Sequence, residues 1–383
     1  MPPFRLLAGA KNGNVLIDGD RIVCLGDPSS FEIPADAERI DCSGATISPG
    51  FCNAHVHFFE RKWWNARAID VADLRVQLED FTRFGVTWVF DLSSAWENTS
   101  IVRERIERGE VAGPRILSTG EGMVAPGSLP PPMVMAVMGL APVSLAEIAD
   151  AQQAARATRG LLDAGVDGVK VFLSSNSGHE IFDERALQAV VDETHAAGKP
   201  LFAHPNTGDD VLAALRAGVD VIAHTTPRSG PWCDDILDAA RARRTALIPT
   251  LALWKQLLRH DRASVQSQTI TVAVEQLRAW REAGGIVIFG TDYGAVGADP
   301  GDEYELMMRA GMTTDEIVAS MTSAPADFFA QTDRGRIAPG YDADLAVLDE
   351  PLGNVRMTLR KGRVIYKHTN RGSYNCPDEG RGP

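Results

Sequence analysis

Hydrophobic residues change their spacing twice along this chain. Up to residue 48 they come in short runs broken by turns, as in NVLIDGDRIVCLG, where Asp18-Gly19 separates two apolar stretches and signals a tight hairpin. From 49 to 332 the pattern becomes apolar runs of strand length, each followed by a helical segment. Eight such runs stand out: FCNAHVHF, GVTWVFDLS, RILSTG, GVKVFLS, PLFAHP, DVIAHT, ALIPTLAL and IVIFGTD. Several of the helical segments, such as SLAEIADAQQAARATRGLLDAG and DERALQAVVDETHAAG, end in glycine, a usual helix stop. Eight βα units predict an α/β fold whose parallel sheet closes into a (β/α)8 TIM barrel. From 333 to 366 strand patterns return in DADLAVLD, VRMTLRKG and GRVIY. They predict that the two ends pair as a small β-sandwich domain, with 367–383 left as a flexible tail.

Composition narrows the function more than the fold. The formal net charge is −13, with both signs mixed along the chain and no basic stripe, which argues against nucleic-acid and membrane surfaces. A small-molecule substrate is the expected partner, and homo-oligomerisation is left open. The five cysteines, Cys24, Cys42, Cys52, Cys233 and Cys376, stand singly and form neither a CxxC pair nor a disulfide framework. Neither a signal-peptide core nor a membrane-length apolar run occurs, so a cytoplasmic location is expected.

The histidines carry the chemistry. Residues i and i+2 of a strand share a face, so His55 and His57 point to one side of the first barrel strand. His204 closes PLFAHP, His224 closes DVIAHT and Asp292 closes IVIFGTD, each at the C-terminal end of a strand, where barrel enzymes collect their catalytic groups. Nitrogen and carboxylate ligands without thiolates suit zinc, with manganese, iron, nickel or cobalt as alternatives. Lys170 sits inside GVKVFLS, a run otherwise fit for a strand buried on both faces. Either its ammonium snorkels to the barrel rim, or it is a neutral amine that has taken up carbon dioxide to become a carbamate bridging two cations.

With these residues in place, the chain resembles the binuclear, carboxylated-lysine members of the amidohydrolase superfamily. The resemblance covers nearly the whole length, from SPGF before the HxH pair to GRIAPGYDADLAVLD after the barrel. GVKVFLSS, AGVDVIAHTT, FGTDYG and YELMMRAGMTTDEIVASMTSAPADFF look closest to the imidazolonepropionase-like and prolidase-like (metallodipeptidase) branch. The resemblance implies two divalent metals: His55, His57 and Asp292 on the first, His204 and His224 on the second, carboxylated Lys170 between them. It also implies hydrolysis of a C–N bond in an amide, cyclic amide, dipeptide or carbamate. A metal-bridging hydroxide would attack the carbonyl, with Asp292 as proton shuttle.

Ester, lactone or organophosphate hydrolysis by the same site is the alternative chemistry, and a metal-stabilised scaffold without turnover is the non-enzymatic one. Candidate substrate contacts are His179 in SSNSGHE, Trp63 and Trp64 after the first strand, and Tyr293 beside Asp292. Met133, Met135 and Met138 in the long third loop and Trp254 after the seventh strand add apolar surface, so a substrate with an apolar group is expected. Packing of these residues on one another is the competing account. His195 and His368 read as solvated, and His260 has no assigned role.

Overall fold

The structure is a computed structural model that describes residues 4–128, 145–174 and 180–368. The chain opens with β1 (Phe4–Ala8), β2 (Asn14–Asp18), β3 (Arg21–Gly26) and β4 (Glu38–Asp41), hydrogen-bonded in the order β3-β2-β1-β4. Asp18 pairs with Arg21, which leaves a two-residue turn with Gly19 at φ +56°, the left-handed backbone that the Asp-Gly signal calls for. Next, β5 (Thr46–Pro49) is separated by Gly50 alone from β6 (Phe51–Val56). A side chain at Gly50 would collide with Thr87, so this crossing from one sheet to the next requires glycine.

Parallel pairing begins at β6. It runs to β7 (Val86–Asp91) and β8 (Arg115–Ser118), and the short β9 (Met123–Val124) and β10 (Ala146–Glu147) lead into the second arc. That arc continues through β11 (Val169–Phe172), β12 (Leu201–His204), β13 (Val221–Ala223), β14 (Ala246–Ile248) and β15 (Ile286–Val287). The two arcs meet at both seams. Ala54 N donates to Phe289 O, Asp292 N to His55 O and His57 N to Tyr293 O on one side, and Asp167 N to Ser118 O on the other. Strands β6, β7, β8 and β11 to β15 are the eight barrel strands of the sequence pattern.

Two strands are shorter than their apolar runs. In ALIPTLAL the strand stops at Ile248, before Pro249, and the second half turns into helix from Ala252 to Leu257. In IVIFGTD only Ile286–Val287 is regular strand, because the following residues bend across to pair with β6.

The barrel interior is filled from below by Cys52, Ala54, Trp88, Phe90, Leu117, Phe202, Val221, Ala246, Ile248 and Ile288, with Phe328 and Phe329 packed against them. The opposite faces of these strands pack under the helices, among them α1 (Val71–Thr82), α2 (Trp96–Glu107), α3 (Ala151–Asp163), α4 (Glu184–Ala196) and α5 (Gly208–Ala217). Among the described residues no helix is long and apolar enough to cross a membrane.

After the barrel, β16 (Leu345–Leu348), β17 (Val355–Arg360) and β18 (Arg363–Lys367) join β5 in the order β18-β17-β16-β5. Leu7, Val15, Ile17, Ile47, Leu345, Val347 and Leu359 form the shared core of the two terminal sheets. The last strand reaches Lys367, and His368 N still donates to Arg356 O, two residues into the segment expected as tail.

Arg334 locks the terminal sheets to the end of the barrel. It is 2% exposed and pairs with Asp342 at 3.1 Å and Asp344 at 3.3 Å, both equally buried. Removing one member of such a group leaves unpaired buried charge. Arg334→Met is therefore expected to cost about 3–5 kcal/mol, read as a lowered urea midpoint against the parent protein; an unchanged midpoint would contradict it.

Candidate metal centre

The predicted ligands end or follow barrel strands at the same mouth, except Lys170 inside β11, yet simple alternation along the strands would not bring all of them together. Cys52 and Ala54 of β6 join the interior cluster, while Val56 joins the outer one. The parity flips because the register against β7 shifts between Asn53 and Val56. His55 and His57 thus both turn inward, their rings 5.1 Å apart. On β13, Ile222 faces the helices, so regular alternation would send His224 outward too. Its backbone instead takes φ +85°, and its ring lies 4.6 Å from that of His55 and 4.5 Å from that of His204. Asp292 has φ +61°. Left-handed backbone at non-glycine residues is costly and collects where function requires it.

The donor atoms fit a divalent cation. One ligand atom each of His55, His224 and Asp292 lies within 4.8 Å of the others. Asp292 Oδ1 sits 2.8 Å from His57 Nε2 and 3.5 Å from His55 Nε2, without the alignment of a hydrogen bond. Both ring nitrogens of His55, Nδ1 of His57, Nζ of Lys170 and Oδ1 of Asp292 are buried with no hydrogen-bond partner among the described residues. So many orphaned polar atoms in one place are untenable without a ligand to satisfy them. Burial also holds the imidazoles in the form that binds metal: His204 is pushed down to about 3, and His55 and His224 lie well below the ordinary histidine range.

Lys170 is 1% exposed, on the inward face of β11, and does not reach the rim. Burial, opposed by the charge of Asp292, lowers its amine to about 7. Its amine therefore does not snorkel to the rim but ends inside the buried site.

The model of the amidohydrolase family matches residues 46–365. This chain belongs to that family. It is 25% identical over 397 residues to the imidazolonepropionase of Streptomyces coelicolor, spanning 92% of this chain and 89% of the relative. Among solved structures, a Xaa-Pro dipeptidase with bound methionine superposes with a TM-score of 0.78 at 21% identity, covering 95% of this chain and 99% of that one. A molinate hydrolase superposes at 0.73 and 20% identity, covering 95% of this chain and 94% of that one.

A ring of supporting residues, absent from the sequence reading, rigidifies this family's mouth here. Asp91 at the end of β7 is fully buried, accepts from Ser118 Oγ at 2.6 Å and from Ser94 Oγ, and is pushed up to about 6 by burial. Asp210, in the capping box of α5, accepts from Ser174 Oγ at 2.7 Å and from the backbone of Asn206 and Thr207 at 2.9 Å, tying the ends of β11 and β12 together. Asn53 and Thr291 do the same for the first and last strands, with Asn53 Nδ2 donating to Thr291 Oγ1 at 2.8 Å. The only available signal was polar residues at strand ends, which does not distinguish support from solvent contact.

The expected substrate contacts fare unevenly. Trp63 is fully buried, its ring 4.8 Å from Phe58 and stacked near Phe81, so it belongs to the core packing beneath the helices and offers no face to a ligand. Tyr293 is likewise buried, with its hydroxyl donating to Asp80 Oδ2 at 2.8 Å. Both match the competing packing account, because side chains beside the mouth alternate into the outer layer. Trp64 is 45% exposed, and Trp254 is half-buried with Nε1 donating to Thr225 Oγ1 at 3.0 Å. His179, Met133, Met135 and Met138 lie outside the described residues. His195 pairs with Asp220 at 2.9 Å on the surface, and His260 contacts Arg259 there.

Proposed function

We propose that this protein is a metal-dependent hydrolase of C–N bonds in small amides, cyclic amides, dipeptides or carbamates. The observation that carries the reading is the convergence of four histidines, a buried lysine and an aspartate, among which both ring nitrogens of His55, Nδ1 of His57, Nζ of Lys170 and Oδ1 of Asp292 have no hydrogen-bond partner among the described residues. His55, His57 and Asp292 would hold one divalent metal and His204 and His224 the other, with Lys170, as a carbamate, as the shared ligand; zinc would suit this donor set. When bound, such metals supply Lewis acidity and a water of lowered pKa. Asp292 stands where it can take a proton at Oδ1 and return it to the departing nitrogen. The buried interior excludes bulk water from the floor of the site. The names of the relatives, an imidazolonepropionase, a Xaa-Pro dipeptidase and a molinate hydrolase, support this class of bond.

The test is a panel of N-acyl amino acids, dipeptides, lactams and carbamates beside matched esters and phosphotriesters, run on zinc-loaded and chelator-treated protein. Turnover of a C–N substrate that vanishes on chelation is expected. Turnover confined to esters or phosphotriesters would replace the reading.

Within a productive substrate series, an apolar group beside the scissile bond is expected to raise kcat/KM over a glycine or serine counterpart, since exposed Trp64 and half-buried Trp254 offer apolar surface. Each well-buried methylene is worth about 0.8 kcal/mol, roughly fourfold. Higher kcat/KM for the small polar members would contradict this preference and leave the metal chemistry intact.

A further inference from the structure

Thr250 follows β14 and has no part in the chemistry above. It is fully buried, its backbone is left-handed at φ +44°, and its Oγ1 lies 2.6 Å from Nδ1 of His224. A β-branched residue in that conformation costs about 1–3 kcal/mol, so the turn has to be held from elsewhere. Glu303 holds it: from α9 (Gly301–Arg309 in the numbering of this chain's helices, after α6 Asp234–Arg243, α7 Ala252–Leu257 and α8 Ala263–Glu282) its carboxylate enters the protein with no exposure and accepts from Ala252 N at 2.7 Å. The turn is also tied to the residue after His224, because Trp254 Nε1 donates to Thr225 Oγ1.

We infer that Thr250, in a turn clamped by Glu303, is a positioning residue that aims Nε2 of His224 toward the other proposed ligands, whose nearest rings are His204 and His55. A neutral imidazole that ligates through Nε2 must carry its proton on Nδ1, and the group facing that proton sets the angle of the ring. Thr250 Oγ1 is that group. The left-handed backbone of His224 leaves the ring free of the strand's alternation, so its aim depends on this contact rather than on sheet geometry. The inference rests on His224 being a ligand, as in the proposed function.

Zinc affinity measured by chelator competition, with visible spectra of the cobalt-loaded protein, tests it without any substrate. Thr250→Val keeps the branched shape and loses the acceptor; it is expected to weaken one zinc by about 10–100-fold, the scale for lost outer partners of metal-bound histidine, and to alter the cobalt spectrum. Thr250→Ser restores the hydroxyl and should return both readouts close to those of the parent. Glu303→Met should resemble the valine variant, whereas Glu303→Gln keeps an acceptor for Ala252 N and should resemble the parent. Parental affinity and spectrum in Thr250→Val would overturn the inference while leaving the proposed function standing. A serine variant as weak as the valine one would also overturn it, since bulk rather than the hydroxyl would then matter. A parent protein that takes up neither metal would remove the proposed function itself.

Discussion

Asp292→Asn is expected to keep most of the bound metal and lose turnover by about 10²- to 10⁴-fold, the usual contribution of a general acid–base group. The histidines and Lys170 remain to hold the cations, and asparagine keeps an oxygen where Oδ1 stood, 2.8 Å from His57 Nε2. What disappears is the capacity to accept a proton. The left-handed backbone at this position also tolerates asparagine better than most residues, so the loss should lie in kcat rather than in folding. Metal content and kcat, determined on one preparation, check this. Parental kcat in a metal-loaded mutant would end the assignment of Asp292 as proton shuttle.

Lys170→Met is expected to cost more metal and at least as much activity. Methionine fills the buried space on β11 without an amine, so no carbamate forms and no group reaches both cations. Loss of one bound equivalent and an activity decrease of about 10²-fold or more follows, the scale for removing one preorganised electrostatic contact. The same chemistry predicts a pH dependence in the parent. Burial lowers the Lys170 amine to about 7, and only the unprotonated amine adds carbon dioxide. Below that value the ammonium dominates and uptake of metal, measured at a constant concentration of dissolved carbon dioxide, should be slow; as pH rises from about 6 to about 8 it should accelerate and then level off. A rate of reconstitution that is flat across this range, or falls, would contradict the carbamate.

How far these residues could be read from sequence follows from what a linear pattern encodes. The HxH pair, the lysine within an apolar strand and the polar residues closing PLFAHP, DVIAHT and IVIFGTD all declare themselves against hydrophobic neighbours. The eight runs likewise give the barrel, and Asp18-Gly19 gives the hairpin. Period-two alternation does not foresee its own interruptions. The register shift after Asn53 and the positive φ of His224 bring the ligands together, and neither leaves a compositional trace. Thr250, Asp91 and Glu303 look like ordinary polar residues until the fold shows what they touch. Trp63 shows the opposite error: position beside a strand end suggested a ligand face, whereas the inward turn of Arg61–Trp63 gives its ring to Phe58 and Phe81.

Metal stoichiometry tests the central claim most directly. Protein produced with zinc and bicarbonate in excess, freed of loose ions and measured by elemental analysis against protein concentration, is expected to hold about two divalent metals per chain. A reproducible value near one would demote Lys170 from bridge to bystander, and a chain that binds none under these conditions would contradict the account.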